Sequence, residues 1–257
     1  MFEYKKYVKN ILEDNKELIK EYATKAGILK EAPEDIYTDL ESRCYRVLAE
    51  YGSLIIYGTD GPSHYLKKLY ELFKDDIRVQ FWLGDSLKDV LPLGSENIWL
   101  KNNDSPNGNY KPIFDYGDYR LLEKAHNVKE FILIDDENEK DESFGFLPGE
   151  KKEKNLCKAV SKFIKQEKEI VVMTYDEKTL LFLKGLMKGS QASNRTLTFA
   201  FLEGYQNHLI KLFSSEMYSV APVVTVEEDA NWNVLKRRWH SYQKEIIEGV
   251  KKAQLNK

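Results

Sequence analysis

Carboxylate side chains directly follow several short apolar runs that predict β-strands. Asp135 and Asp136 come after the run 131–134, and Asp176 comes at the end of the run 170–175. In a parallel sheet the carboxyl ends of the strands lie at one edge, where ligands bind. Carboxylate oxygens at such an edge suit Mg²⁺, a hard cation that prefers oxygen ligands and often bridges to phosphate. The pattern therefore predicts Asp135, Asp136 and Asp176 as Mg²⁺ ligands.

Two glutamates stand beside these aspartates and extend the same hypothesis. Glu137 follows Asp136, and Glu177 follows Asp176. A carboxylate next to a bound cation can orient an attacking water while the cation stabilises the charge that develops on a phosphoryl group. We therefore expect Glu137 and Glu177 to be the catalytic residues of a metal-assisted hydrolase that acts on a nucleotide or a nucleic-acid phosphate.

The same acidic residues also have an ordinary structural explanation. An Asp just before a helix is the usual N-cap, because its side chain accepts hydrogen bonds from free backbone N–H groups. Asp85 and Asp176 both stand at predicted helix starts, and the acidic run 135–143 is typical of a solvated loop. Capping is the commoner role for such residues, and the sequence leaves both interpretations open.

A glycine-containing turn at 58–63 is a second candidate binding site. It lies between a predicted strand and a predicted helix, where backbone N–H groups and the helix dipole favour an anion. On this interpretation Thr59, Asp60, Gly61 and Ser63 would bind phosphate. The turn matches neither Gly-x-Gly-x-x-Gly nor a Walker loop, and the Asp60 carboxylate would repel an anion. A plain strand-to-helix turn is the simpler alternative.

Zinc and nucleophilic chemistry have little support in the sequence. The four histidines show no His-x-x-x-His spacing, and Cys44 and Cys157 form no Cys-x-x-Cys pair. No Gly-x-Ser-x-Gly elbow is present. Mg²⁺ is therefore the one cofactor that the pattern predicts.

The apolar periodicity predicts an α/β fold with a mainly parallel or mixed sheet flanked by helices. Short apolar runs alternate with helical segments, which is typical of a parallel sheet covered on both faces. Pro222 cannot donate a ladder hydrogen bond, so we expect its strand at an edge or a bulge. The predicted strands are 53–58, 77–83, 131–134, 170–175 and 220–226, and the turn-rich segment 101–112 is predicted as a long loop.

Amphipathic helices are predicted at both ends of the chain. Helical spacing of apolar residues gives an N-terminal pair at 2–26 and 33–52. A long C-terminal helix carries an apolar stripe beside a basic flank that includes Lys236, Arg237 and Arg238. The stripe consists of Trp232, Leu235, Trp239, Tyr242, Ile246 and Val250. The stripe would most simply be core, and the flank either a solvated face or a surface for nucleic acid.

Composition limits the class of protein. A chain of 257 residues with 42% hydrophobic residues predicts one body over 1–257, or a body with a separate helical lobe at 1–52. A net charge of −3 lacks the overall basic field that proteins living on nucleic acid usually show. The chain shows neither a signal peptide nor an apolar run of membrane-spanning length, so we expect a cytoplasmic protein without a membrane partner. The excess of Lys over Arg indicates an AT-rich bacterial or phage genome.

Two non-catalytic functions remain alternatives to the enzyme hypothesis. One is a nucleotide-sensing module that uses the same edge of the sheet. The other is an assembly module whose terminal helices form a homo-oligomer or bind a protein partner.

Overall fold

In a computed structural model, eight parallel strands form a closed barrel in which β1 pairs with both β2 and β8. The structure describes residues 12–29, 33–59, 61–93, 95–101, 111–115, 130–134, 148–174, 177–190, 196–203 and 207–227, together with 246 and 248. The strands are β1 Leu54–Gly58, β2 Val79–Leu83, β3 Ile98–Lys101, β4 Lys111–Asp115, β5 Glu130–Ile134, β6 Glu169–Met173, β7 Leu197–Leu202 and β8 Ser219–Val226.

Helices lie between strands along the chain, as the alternating pattern predicted. They are α1 Lys16–Lys25, α2 Pro33–Tyr51, α3 Ser63–Phe73, α4 Pro148–Lys165, α5 Glu177–Ser190 and α6 Asn207–Ser215, with a short 3-10 turn at Asp85–Leu87. No helix within the described residues is long and apolar enough to cross a membrane. The α/β class and the mainly parallel sheet are confirmed, whereas the closure of that sheet into a barrel was not predicted.

The interior of the barrel is a packed apolar core. Large rings from the first three strands, those of Tyr57, Trp82 and Trp99, lie in the same core as the small side chains of Ala200 and Ala221 from β7 and β8. Large residues on one side and small residues on the other let the interior fill without voids. The barrel interior, as the described strands form it, is therefore packed with side chains and holds no ligand site of its own.

A second core lies between the strands and the helices. It combines alternate residues of β7, Leu197, Phe199 and Phe201, with the inner faces of α4, α5 and α6. Residues of a strand alternate between two faces, so the even-numbered residues of β7 point into the barrel and the odd-numbered ones point to the helices. This is why the strand is buried on both faces and reads as a nearly continuous apolar run.

Pro222 corrects the prediction of an edge strand. It lies within β8 and is paired in register with Phe201 of β7. The ladder between β8 and β1 begins only at Val223. A missing N–H is tolerated where the ladder on one side has not yet begun, so closure of the barrel is compatible with this proline.

The chain folds into two compact units. One contains residues 1–43 and 227–257, and the other contains residues 44–226 with the whole barrel. In the first unit, Leu12, Ala23 and Ile246 form a small buried cluster. Residues 228–245, which hold most of the predicted C-terminal helix, lie outside the described residues, as do residues 1–11. The predicted lobe at 1–52 stays a prediction.

Candidate functional site

All eight strands end at the same opening of the barrel, which we call the C-terminal rim. It is formed by the strand ends at Gly58, Leu83, Lys101, Asp115, Ile134, Met173, Leu202 and Val226. In barrels of eight parallel strands, active sites lie at this end, because the loops there vary freely while the packed barrel holds them in place. The rim is therefore the candidate site.

The segments after β1 and β2 are locked together. The Gly84 N–H donates to the Gly58 carbonyl at 2.7 Å, and the Ser86 hydroxyl donates to the Thr59 carbonyl at 2.9 Å. A Cβ on Gly84 would lie 2.7 Å from the Thr59 carbonyl oxygen. The close approach of two backbones therefore requires glycine at position 84, and this sector of the rim is rigid.

The 58–63 turn lies on this rigid sector. Thr59 follows the end of β1, Gly61 lies in the turn, and Ser63 begins α3 after Pro62 at the cap position. Pro62 makes no side-chain cap hydrogen bond, and the Tyr65 N–H of the first turn donates to the Pro62 carbonyl at 3.0 Å. That geometry is compatible with a bound anion and equally with a plain turn. Asp60 lies outside the described residues.

The predicted metal ligands come after β5 and β6 in the chain, and the ends of these two strands lie on the side of the rim away from β1. These strands are neighbours, and Ile134 is in register with Met173. Asp135, Asp136, Glu137 and Asp176 lie outside the described residues, as does the side chain of Glu177, the first residue of α5. Within the described part of the chain, no group of three or more potential metal ligands occurs.

The barrel separates the two parts of the candidate site. β1 and β5 are four strands apart in either direction around the closed sheet. Eight strands at about 4.8 Å spacing and a tilt of about 36° give a barrel roughly 15 Å across. The 58–63 turn and the β5–β6 sector therefore face one another across the rim and cannot hold the same phosphate group through short side chains.

Asp85 does not cap the short helical turn that follows β2. The residue begins the 3-10 turn itself, and Gly84 holds the cap position without a side-chain hydrogen bond. Asp85 is exposed. The expected N-cap at Asp85 is therefore wrong, although the helix start was placed correctly.

Glu203 is a rim residue that the sequence pattern did not identify. It directly follows β7, is buried, and its side chain accepts a hydrogen bond from Arg46 of α2 at 3.0 Å. Its odd number places it with Phe199 and Phe201, on the side of β7 that faces the helices. Glu203 therefore fastens α2 to the barrel. The sequence does contain the pattern that indicates this residue, an acidic residue directly after the apolar run 197–202.

The fold and the rim together define a class, an α/β barrel of the TIM type. No family model matches the chain, and no curated protein matches its sequence. Among solved structures, the chain is similar to proline utilization A (PutA) from Bdellovibrio bacteriovorus, inactivated by N-propargylglycine, with a TM-score of 0.55 and 11% sequence identity. The match covers 85% of this chain and 32% of that one. At this identity the likeness shows the fold alone.

Proposed function

We propose that this protein is a metal-assisted enzyme that acts on a nucleotide or nucleic-acid phosphate at the C-terminal rim. The observation that carries the proposal is the closure of eight parallel strands. In an open sheet, acids after distant strands would lie far apart along an edge. In a closed barrel every strand end borders one opening, and enzymes of this architecture carry their catalytic residues there.

The β5–β6 sector supports the metal part of the proposal. Ile134 and Met173 are in register on neighbouring strands, which lie about 4.8 Å apart. Asp135 is bonded to Ile134, and Asp176 comes three residues after Met173. Carboxylates that follow two neighbouring strand ends could share one Mg²⁺, with Glu137 or Glu177 orienting a water toward the phosphorus.

The opposite sector supports the substrate part. The first turn of α3 offers N–H groups and the positive end of a helix of 11 residues beside Thr59, Gly61 and Ser63. A rim roughly 15 Å across can be spanned by a nucleotide, but not by inorganic phosphate alone. We therefore favour a substrate that carries a second anionic or polar group beyond its reacting phosphate.

Thermal unfolding with and without Mg²⁺ or Mn²⁺, and with a panel of nucleotides, tests the proposal. A ligand that binds only the folded state raises the melting temperature. We expect a rise with metal that is lost in the Asp135→Asn, Asp136→Asn variant. The matched control is Asp75→Asn with Glu96→Gln, which neutralises two exposed acids that follow α3 and precede β3.

Activity completes the test. Metal-dependent hydrolysis of bis(p-nitrophenyl) phosphate by the wild-type protein and the control, but not by the Asp135 and Asp136 variant, would support the enzyme. A rise with a nucleotide and no dependence on metal would favour the nucleotide-sensing module. If no ligand shifts the melting temperature, the proposal is wrong, and a mass measurement in solution then tests assembly through the terminal helices.

A further inference from the structure

Helices α4 and α5 concentrate positive charge on one side of an otherwise acidic protein. Residues 148–190 contain ten lysines, no arginine and six acidic residues, a net charge of +4, whereas the whole chain carries −3. The remaining residues therefore carry −7 together. Residues 154–165 hold four lysines and residues 178–190 hold three, and neither stretch contains Asp or Glu.

The lysines of α4 form one stripe. Lys154, Lys158, Lys162 and Lys165 are all exposed. At 100° per residue they fall within about 80° of arc, and at 1.5 Å per residue they extend over about 16 Å. Lys158, Lys162 and Lys165 form no ion pair with a carboxylate in the part of the chain that the structure describes. Their charges are thus available to an external anion.

Two apolar side chains are exposed on α5, the helix next to α4. The inner faces of α4 and α5 share one core, so the helices are neighbours on the outside of the barrel. On the outer face of α5, Phe182 is 55% exposed and Leu181 is 46% exposed. Lys178 and Lys188, one turn or more to either side, are exposed as well. Lys184 differs, because it is paired with Glu216, the residue that follows α6, at 2.7 Å.

We infer that this lysine face, formed by the four α4 lysines with Leu181 and Phe182, binds single-stranded nucleic acid. Successive lysines one helical turn apart repeat at about 6 Å, which gives regularly spaced cations for a phosphate backbone. The exposed Phe182 ring offers a platform on which an unpaired base can stack, the combination that sequence-tolerant single-strand binding uses. The inference concerns a surface of the barrel wall and does not depend on the activity proposed for the rim.

Fluorescence anisotropy of a fluorescein-labelled oligothymidylate with the full chain tests this inference. We expect the Lys158→Glu, Lys162→Glu variant to bind at least about tenfold more weakly, with a less negative salt slope, since each phosphate contact contributes about −0.7 to the slope for single strands. The matched control, Lys67→Glu with Lys88→Glu, changes the net charge equally at two exposed positions of the α3 and β2 sector. Its affinity should fall far less.

A second variant separates stacking from charge. Phe182→Leu keeps an apolar side chain but removes the ring, and we expect about a fivefold or greater loss, since stacking on an aromatic is worth about 1–3 kcal/mol per base. Equal losses in the two lysine variants would overturn the inference. So would tighter binding to phosphatidylserine vesicles or to oligoglutamate than to the oligonucleotide. All substituted side chains are exposed, and an unchanged melting temperature confirms folding.

Discussion

The Nη2 of Arg46 donates to Oε1 of Glu203 at 3.0 Å and joins positions 157 residues apart in the chain. The Glu203 side chain is 6% exposed, whereas that of Arg46 is 57% exposed. The pair connects the helix before β1 to the segment after β7. The ring of the neighbouring Tyr45 packs against the ring of Phe73 of α3, with the two ring centroids 5.1 Å apart. The part of α2 that belongs to the barrel unit, residues 44–51, is thus held by α3 and by the end of β7.

Replacing Arg46 should destabilise the barrel unit. Arg46→Met leaves the buried Glu203 carboxylate without its guanidinium partner, and we expect a loss of about 1–2 kcal/mol, reduced from buried-pair values because Arg46 is half in solvent. Urea unfolding of Arg46→Met, Glu203→Gln and the double variant measures the coupling. A coupling energy near zero would show that the two residues do not stabilise one another.

Position 84 should tolerate only glycine. Gly84→Ala places a Cβ 2.7 Å from the Thr59 carbonyl oxygen, so the segments after β1 and β2 must separate. We expect a loss of about 1–3 kcal/mol, the usual cost of overpacking. The matched control is Gly185→Ala in α5, where the Cβ meets nothing within 4 Å and should stabilise by about 0.5–1 kcal/mol. Equal effects of the two alanines on the unfolding midpoint would contradict the close approach.

Met217 is a residue where glycine should improve stability. It has φ +64° after α6, where Tyr218 N–H donates to Phe213 O in a left-handed helix cap. The side chain is 81% exposed, so little packing is lost on truncation. Met217→Gly should raise the free energy of unfolding by about 0.5–1 kcal/mol. Gly52→Ala, at φ +71° with open space around its Cβ, should lower it. Shifts of the same sign would refute the argument.

The two interior tryptophans should respond differently to phenylalanine. The Trp82 indole N–H donates to Gln80 Oε1 at 3.2 Å, whereas the buried Trp99 N–H has no hydrogen-bond partner among the residues that the structure describes. Both variants lose the same ring volume, but Trp82→Phe also leaves Gln80 without its donor. We expect Trp82→Phe to cost about 1 kcal/mol more than Trp99→Phe. Denaturant unfolding of the two variants measures the difference in their free energies of unfolding. A larger loss for Trp99→Phe than for Trp82→Phe would contradict the stabilising role of the Trp82–Gln80 hydrogen bond.

Lys168 should make stability depend on alkaline pH. Burial lowers the pKa of Lys168, and the nearby charge of Lys162 lowers it further. Below this lowered pKa the lysine is charged in both the folded and the unfolded protein, and the desolvation of the charged group in the folded protein lowers the free energy of unfolding. The penalty is relieved as pH rises through the folded pKa toward the unfolded value, about 10.4.

The wild-type protein should therefore gain stability relative to Lys168→Met as pH rises in that range. Urea unfolding across alkaline pH measures the difference between the two proteins. Lys165→Met, at an exposed lysine three residues away, is the control for the removal of a lysine from this segment. A difference that stays constant with pH would contradict the desolvation of Lys168.

Local pattern was enough to predict most elements. Pro33 at a helix start, the apolar runs of β1, β2, β5, β6 and β8, and their parallel arrangement follow from spacing and turn residues. β3, β4 and β7 were missed. β3 and β4 are short and border the turn-rich segment 101–112, which was predicted as a loop. Lys101 at the start of that segment belongs to β3, and Lys111 and Pro112 at its end belong to β4. β7 was readable and was overlooked.

The candidate site, like the fold, was predictable from the sequence only in its local features. The sequence placed acids and a glycine turn after strands, because strand ends and turn residues are local features. Which acids share one opening depends on strand order, and that is set by pairing between distant segments. Thr59, Gly61 and Ser63 are now placed on the sector opposite β5 and β6, whereas Asp60, Asp135, Asp136, Glu137 and Asp176 remain predictions.

By itself the sequence predicted an α/β chain with a mainly parallel or mixed sheet, because burial on both faces gives five of the strands nearly continuous apolar runs. Closure was decided only by the tertiary structure. An open parallel sheet and a barrel place the same apolar residues in the same strands, and they differ in whether β1 finds β8, which lies more than 160 residues further along the chain. That pairing depends on the stagger of all eight strands together, so no single segment encodes it.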